Sequence, residues 1–218
     1  MTIAISPLIV NGDRLIKSIF DLAEIGKLPN GGVSRLAFTT EDLLARQLVH
    51  TWMEEAGMQV RVDPAGNVIG RYEGKRKGAP ALATGSHIDT VPVGGRYDGC
   101  LGVLAGIEVV RMLNENETRL NHPLEVIVFS DEERSVIGSK AIAGEIKEDP
   151  EHYCRLDGTP IQPCLAKAGG DWDKIAEAKR DSSNMCAFVE LHVEQGGVLE
   201  HRQVPIGVVT GVVGQYRF

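Results

Sequence analysis

TGSHIDTVPVGGRYDGC, residues 84–100, sets His87, Asp89 and Asp98 within twelve positions and separates them by a proline and a Gly-Gly pair. The run that leads into it, Ala81-Leu82-Ala83-Thr84, is short and apolar and reads as a buried strand. Gly85-Ser86 ends that strand and leaves His87 as the first polar side chain at its carboxyl end. In open α/β sheets the ligand crevice lies outside the carboxyl ends of the strands. His87 and Asp89 are two apart, so continued extended backbone points them the same way. That spacing suits a metal-binding imidazole whose other ring nitrogen is held by a carboxylate. Asp98 follows the Gly-Gly turn and precedes a helix, from which it can return to the same mouth. Two simpler readings stand beside this one: Asp98 as a helix N-cap, and His87–Asp89 as a surface hydrogen bond.

Downstream, Gly99–Leu113 reads as a helix, with Leu101, Leu104, Ala105, Ile107 and Val109 among its apolar positions. Its glycines at 99, 102 and 106 suit close packing on a sheet; a nucleotide-binding loop is disfavoured because the GxGxxG order is absent. Leu124–Phe129 (LEVIVF) is the clearest strand and makes a parallel strand–helix–strand crossover with Ala81–Thr84. It ends in Ser130-Asp131-Glu132-Glu133-Arg134, a carboxylate cluster where a parallel strand delivers its ligands. A third core strand, Cys186–Leu191, ends in His192 and is followed by Val193-Glu194-Gln195-Gly196-Gly197. Pro205–Val213 reads as a further strand, residues 135–146 as a short helix, and 147–183 as an insertion of short helices outside the sheet.

Upstream, Asn11 caps a helix over residues 11–26, with Leu15, Ile16, Ile19, Phe20, Leu22 and Ala23 as its apolar stripe. Ser34-Arg35 are candidates for substrate contact in what otherwise reads as a surface loop. Thr40 opens a second helix to Ala56, closed by Gly57. Met58–Val62 and Asn67–Tyr72 form a hairpin about Asp63-Pro64-Ala65-Gly66. The expected fold is therefore α/β: a mixed, mostly parallel sheet flanked by helices.

The chain has 218 residues, 43% of them hydrophobic, enough for one large core. A net charge of −7 without a basic cluster argues against nucleic acid and anionic membranes as partners. No apolar stretch reaches the length of a membrane span, and MTIAISPLIV lacks the basic start of a signal peptide. The four cysteines form no CxxC pair and read as reduced thiols, which points to the cytoplasm.

Three strands, each read from apolar pattern alone, thus end in His87, in Asp131-Glu132-Glu133 and in His192. Two imidazoles and several carboxylates at one sheet edge are a ligand set for zinc, or for manganese, cobalt or nickel. A carboxylate such as Asp98 can bridge two cations with its two oxygens, which an imidazole cannot. Two cations about 3.5–4 Å apart hold and acidify one water. If one of Glu132 and Glu133 is a ligand, the other stands near that water and suits a general base that later donates the proton. A solvated acidic turn and a structural histidine are the plainer alternatives for these positions.

With these residues in hand, the chain resembles the M20 metallopeptidase-like amidohydrolases. Within them it is similar to the hydantoinase/carbamoylase branch: N-carbamoyl-L-amino acid hydrolases, allantoate amidohydrolases and β-ureidopropionases. The resemblance is carried by GSHIDTVPVGGRYDGCLGVLAG, FSDEERSVIGSKAIAGE and LHVEQGGVLE, with GGVSRLAFT as a weaker support. It implies two divalent metal ions, with His87 and His192 on the first, Glu133 on the second and Asp98 bridging both. It implies Glu132 as general acid/base, Asp89 as the group that orients His87, and Gln195 and, more weakly, Gln215 as substrate contacts. His192 stands where many M20 peptidases use a carboxylate, which favours the carbamoylase side. The implied activity is hydrolysis of a linear ureido or carbamoyl C–N bond in a small-molecule substrate, by a homodimer. The alternatives are an aminoacylase or dipeptidase acting on ordinary amides, and a non-catalytic binding or scaffold module.

The resemblance also implies a polypeptide roughly twice as long. Residues 1–211 correspond to the N-terminal portion of the catalytic domain, and 212–218 to the start of a connection to a dimerisation or lid domain. The last metal-binding His and the substrate-binding Arg, Asn and further His of the family then lie outside this sequence. One metal site is expected to be nearly complete and the second short of a ligand, so full activity is not expected from these residues without a complementing segment.

Overall fold

A computed structural model describes residues 8–147 and 149–212. In chain order the elements are α1 (Gly12–Ala23), α2 (Thr40–Glu55), β1 (Gln59–Val62), β2 (Val68–Tyr72), β3 (Ala81–His87), α3 (Cys100–Glu115) and β4 (Leu124–Phe129). They continue with α4 (Ile137–Ala143), α5 (Ile161–Lys167), β5 (Met185–Val189) and α6 (Val198–Arg202). Short 3-10 turns at Pro150–His152, Trp172–Ala178 and Ser182–Asn184 make up, with α5, the helical insertion expected between 147 and 183.

The five strands form one mixed sheet in the order β1-β2-β4-β3-β5. β1, β2 and β4 pair antiparallel, whereas β3 pairs parallel with both β4 and β5. The crossover through α3 is thus present, and its ladder runs from Leu82 opposite Leu124 to His87 opposite Phe129. β3 is longer than its sequence pattern implies, because Gly85 and Ser86 stay paired with Ile127 and Val128. Strands β3 and β4 therefore finish flush.

Alternation along β4 divides the molecule into layers. Val126 and Val128 face a core built with Ile19 and Leu22 of α1, Val49 and Met53 of α2, and Val103, Leu104 and Ile107 of α3. Ile127 faces the other way with Ile69 and Ala83, against Ile142, Phe129 and Met185. A separate cluster of Phe38, Ile137, Tyr153, Ile161, Leu165 and Ile175 lets the insertion pack on α4. Asn11 caps α1 by accepting from the Arg14 amide, and its own amide donates to the buried Glu108 on α3. Arg14 grips the same carboxylate through Nε at 2.8 Å and Nη2 at 2.7 Å, which fixes α1 on α3.

Three expectations are corrected. Ile16 and Phe20 are exposed, because the buried face of α1 follows Leu15, Ile19 and Leu22; Phe20 instead lies under the Arg96 guanidinium. Among the described residues β5 is no core strand: it lies at the sheet edge with β3 as its one neighbour, and Phe188 and Val189 are exposed. Residues 205–212 form no strand, and Val208 and Val212 are 89% and 91% exposed. β-Branched composition alone does not make a strand without a neighbour to pair. Val213, the last residue of that expected strand, lies outside the described residues.

One buried side chain joins the hairpin to the end of β4. Asn67 Nδ2 donates to Asp63 Oδ2 at 2.8 Å and to the Gly138 carbonyl at 3.1 Å, and its Oδ1 accepts from the Ser130 amide at 2.9 Å. Asn67→Ala is expected to strand these buried partners and to lower unfolding free energy by about 2–4 kcal/mol, read from urea denaturation.

Candidate metal centre

His87 closes β3 with its side chain only 4% exposed. Its Nδ1 lies 3.0 Å from the backbone carbonyl of Asp89, while the Asp89 carboxylate is 3.8 Å away. The main chain of residue 89 thus meets the ring more closely than its carboxylate does. His192 repeats the arrangement, with Nδ1 2.9 Å from the Val193 carbonyl. A carbonyl can only accept, so each Nδ1 carries a proton, and in the neutral ring this leaves the Nε2 lone pair for a metal, the form in which histidine binds one. Both Nε2 atoms face Asp98 Oδ1, at 3.9 Å from His87 and 3.2 Å from His192.

Asp98 is not spent as a helix cap, since the N-terminus of α3 has no side-chain cap. It is brought back by Gly99, which adopts φ +64°; a Cβ there would stand 2.5 Å from His87 Nε2. Only glycine allows both that backbone conformation and that approach. Gly102, one turn on, lies against the Leu191 carbonyl, so the segment carrying His192 can settle on α3. Ser86 Oγ donates to Glu190 Oε1 at 2.6 Å and ties the same segment to β3. These two contacts bring His192 to the centre although β5 ends three residues earlier, at Val189.

The buried Asp89 carboxylate, 3.8 Å from His87 Nδ1, also has partners of its own. It accepts from the amides of Glu132 at 3.3 Å and Glu133 at 3.1 Å, and so holds the loop that leaves β4. That loop turns through positive φ at Asp131 (48°) and Val136 (50°), conformations that cost energy in residues with a Cβ. Glu132 Oε2 comes to 3.5 Å from His87 Nε2, with its side chain 40% exposed. Glu133 is half-buried and lines a neighbouring cavity of about 450 Å³ with Leu36, Val91, Pro92, Arg134 and Leu156.

Burial and crowded negative charge set the electrostatics. Burial, with the nearby Asp42 charge, pushes the Asp89 carboxyl up to about 7. Burial likewise raises Asp131 to about 6, and it raises Glu133, with the Asp98 and Glu132 charges adding to it. Burial works against a charged His87, but the carboxylates of Asp89 and Glu132 outweigh it and raise its pKa. Such concentrated negative potential in a partly enclosed mouth favours a cation.

His87, Asp98 and His192 each offer one donor atom, and these atoms lie within 4.8 Å of one another. Two imidazole nitrogens and a carboxylate oxygen fit a divalent transition-metal ion. Glu133 stands outside this trio, and Glu132 sits beside it. Gln195 reaches the centre, with Nε2 3.1 Å from both Asp98 oxygens and its own backbone at φ 54°. Gln215 lies outside the described residues.

The match to a family model covers residues 83–217, and the model is that of peptidase family M20/M25/M40. The chain belongs to that family. It is 44% identical over 210 residues to an N-carbamoyl-L-amino acid amidohydrolase of Geobacillus stearothermophilus, covering 94% of this chain and 51% of the relative. A ureidoglycolate hydrolase of Oryza sativa subsp. japonica is 34% identical, covering 95% of this chain and 45% of the relative. The structure superposes on a hydantoinase/carbamoylase family amidase from Burkholderia ambifaria with a TM-score of 0.83 and 37% identity, over 91% of this chain and 49% of that one. The chain spans about half the length of the curated relatives it matches. Among the described residues no helix is long and apolar enough to cross a membrane, and all four cysteines are free.

Reading motifs missed the residues that support the centre without facing it. Arg35 is buried beneath the loop and is no surface contact, Asn67 holds the backbone at Ser130, and Ser86 holds the Glu190 side chain. Gly99→Ala and Gly102→Ala are expected to leave a folded protein whose zinc affinity is about 10–100-fold weaker, measured by competition with a chromophoric chelator.

Proposed function

We propose that the protein is the metal-binding part of a binuclear hydrolase of linear ureido or carbamoyl C–N bonds, of the N-carbamoyl-L-amino acid or allantoate type. The observation that carries this reading is the convergence of two imidazole Nε2 atoms on Asp98 with the Glu132 carboxylate beside them. The 44% identity to an N-carbamoyl-L-amino acid amidohydrolase supports the substrate class. His87 and His192 hold the first ion, which is zinc, or manganese, cobalt or nickel. A second ion would be held by Asp98, shared with the first, and by Glu133. When bound, the cations polarise the scissile carbonyl and acidify the attacking water.

The protein's own residues then move the proton. Glu132 takes it from the water as oxygen adds to the carbamoyl carbon, and returns it to the nitrogen as the C–N bond breaks. The products from a carbamoyl amino acid are ammonia, carbon dioxide and the free amine. Asp89 keeps Glu132 and Glu133 in place through their amides. Gln195, already at Asp98, and Gln215 contact the substrate, whose apolar portion has room in the cavity beside Glu133. Residues 1–211 act as the N-terminal portion of the catalytic domain of a cytoplasmic homodimer, and 212–218 lead toward a dimerisation or lid domain.

The test is ammonia release by protein expressed from its native reading frame, loaded with zinc, manganese or cobalt. N-carbamoyl-L-amino acids, allantoate and N-acyl amino acids are offered in parallel. Turnover of carbamoyl or allantoate substrates, abolished by chelation and restored by metal, is expected. Glu132→Gln is expected to lower kcat by about 100-fold or more with metal content unchanged. Turnover of N-acyl substrates alone would replace this reading with an aminoacylase.

A further inference from the structure

Arg35 is almost fully buried, yet among the described residues no carboxylate pairs with it. A guanidinium taken out of water without a counter-ion costs several kcal/mol unless its donors are satisfied. Nη1 donates to the carbonyls of Leu22 at 3.0 Å and Ile25 at 2.8 Å, where the end of α1 carries partial negative charge. The other donors are turned toward the metal centre. Nε donates to the Ile88 carbonyl at 2.7 Å, and Nη2 lies 3.2 Å from Cys100 Sγ. The main chain adds two more ties: the Arg35 amide donates to Thr90 Oγ1 at 2.9 Å, and the Thr90 amide donates to the Arg35 carbonyl at 2.9 Å.

Residues 88 and 90 flank Asp89, whose carbonyl meets His87 Nδ1. Cys100 is the first residue of α3, two after Asp98. A single side chain therefore holds both ends of the loop that follows His87 and carries Asp98, two of the three clustered donors. We propose that Arg35 is a positioning residue of the metal centre, acting through the Ile88–Thr90 backbone to aim the His87 ring and through Cys100 to set its distance from Asp98. This inference rests on the metal-centre reading above. Lysine cannot substitute, because three donors on one nitrogen cannot span acceptors in three separate segments, whereas a guanidinium offers five in a fixed plane.

The experiment titrates cobalt(II) into the metal-free protein and follows its visible absorption, alongside thermal unfolding without metal. The variants are Arg35→Lys, Arg35→Met and Thr90→Val. Ile107→Ala, a truncation in the α3 core, serves as a control for stability loss alone. Folded Arg35→Lys is expected to bind cobalt about 10–100-fold more weakly with an altered spectrum. Ile107→Ala is expected to melt earlier while keeping wild-type affinity and spectrum. Thr90→Val removes the acceptor of the Arg35 amide, together with the Thr90 Oγ1 bonds to the Val33 and Val91 carbonyls, and leaves the guanidinium in place. It is expected to weaken binding less, and wild-type cobalt binding by it overturns the proposal if both Arg35 variants fail to fold. Wild-type cobalt affinity and spectrum in the folded variants would overturn the proposal. Failure of the wild-type protein to bind cobalt would instead overturn the metal-centre reading.

Discussion

The parallel ladder between β3 and β4 sets His87 opposite Phe129, and the rest of the centre depends on that register. Because the two strands finish level, the residues that follow β4 emerge beside the imidazole. A slip of one residue would turn His87 to the other face of the sheet. The ladder also explains why Asp89 can reach the amides of Glu132 and Glu133: the residues that follow β3 lie beside those that follow β4.

The centre is built largely by backbone groups. Main-chain carbonyls of Asp89 and Val193 fix both imidazoles, and main-chain amides of residues 132 and 133 fix the acidic loop. Close approach at Gly99 and Gly102 lets α3 sit against His87 and against the chain leading to His192. Positive φ at Asp131, Val136 and Gln195 concentrates strained backbone around the same mouth. Strain of this kind persists only where surrounding contacts over-determine the conformation, and the buried ties of Asp89, Asn67 and Arg35 supply those contacts.

The layers follow from simple burial. α1, α2 and α3 cover one face of the sheet, while α4 and the insertion cover the other, and the carboxyl ends of β3 and β4 open between them. Family membership agrees with this architecture, and the superposition on a hydantoinase/carbamoylase amidase extends over 91% of the chain.

Much was legible in the residues alone. Apolar periodicity located the hairpin, β3, β4 and the first three helices, because each buries a continuous face whose period is local. The stretch after residue 147 read as short helices outside the sheet because it is polar and broken by Pro150, Pro160, Pro163 and Gly169-Gly170. His87 and His192 could be marked as candidate donors because each follows an apolar strand pattern, and Asp98 because it follows a Gly-Gly turn that can return it to the same mouth. Local pattern misjudged β5 and residues 205–212, since pairing depends on which strand lies alongside. It also misjudged Arg35, whose burial depends on three carbonyls and a thiol from distant segments. Sequence by itself determined which residue types and which local elements are available. Tertiary structure alone decided that Asp89 offers its carbonyl to His87 and its carboxylate to the acidic loop, because hydrogen-bond direction is set by turns whose geometry depends on the whole packed sheet.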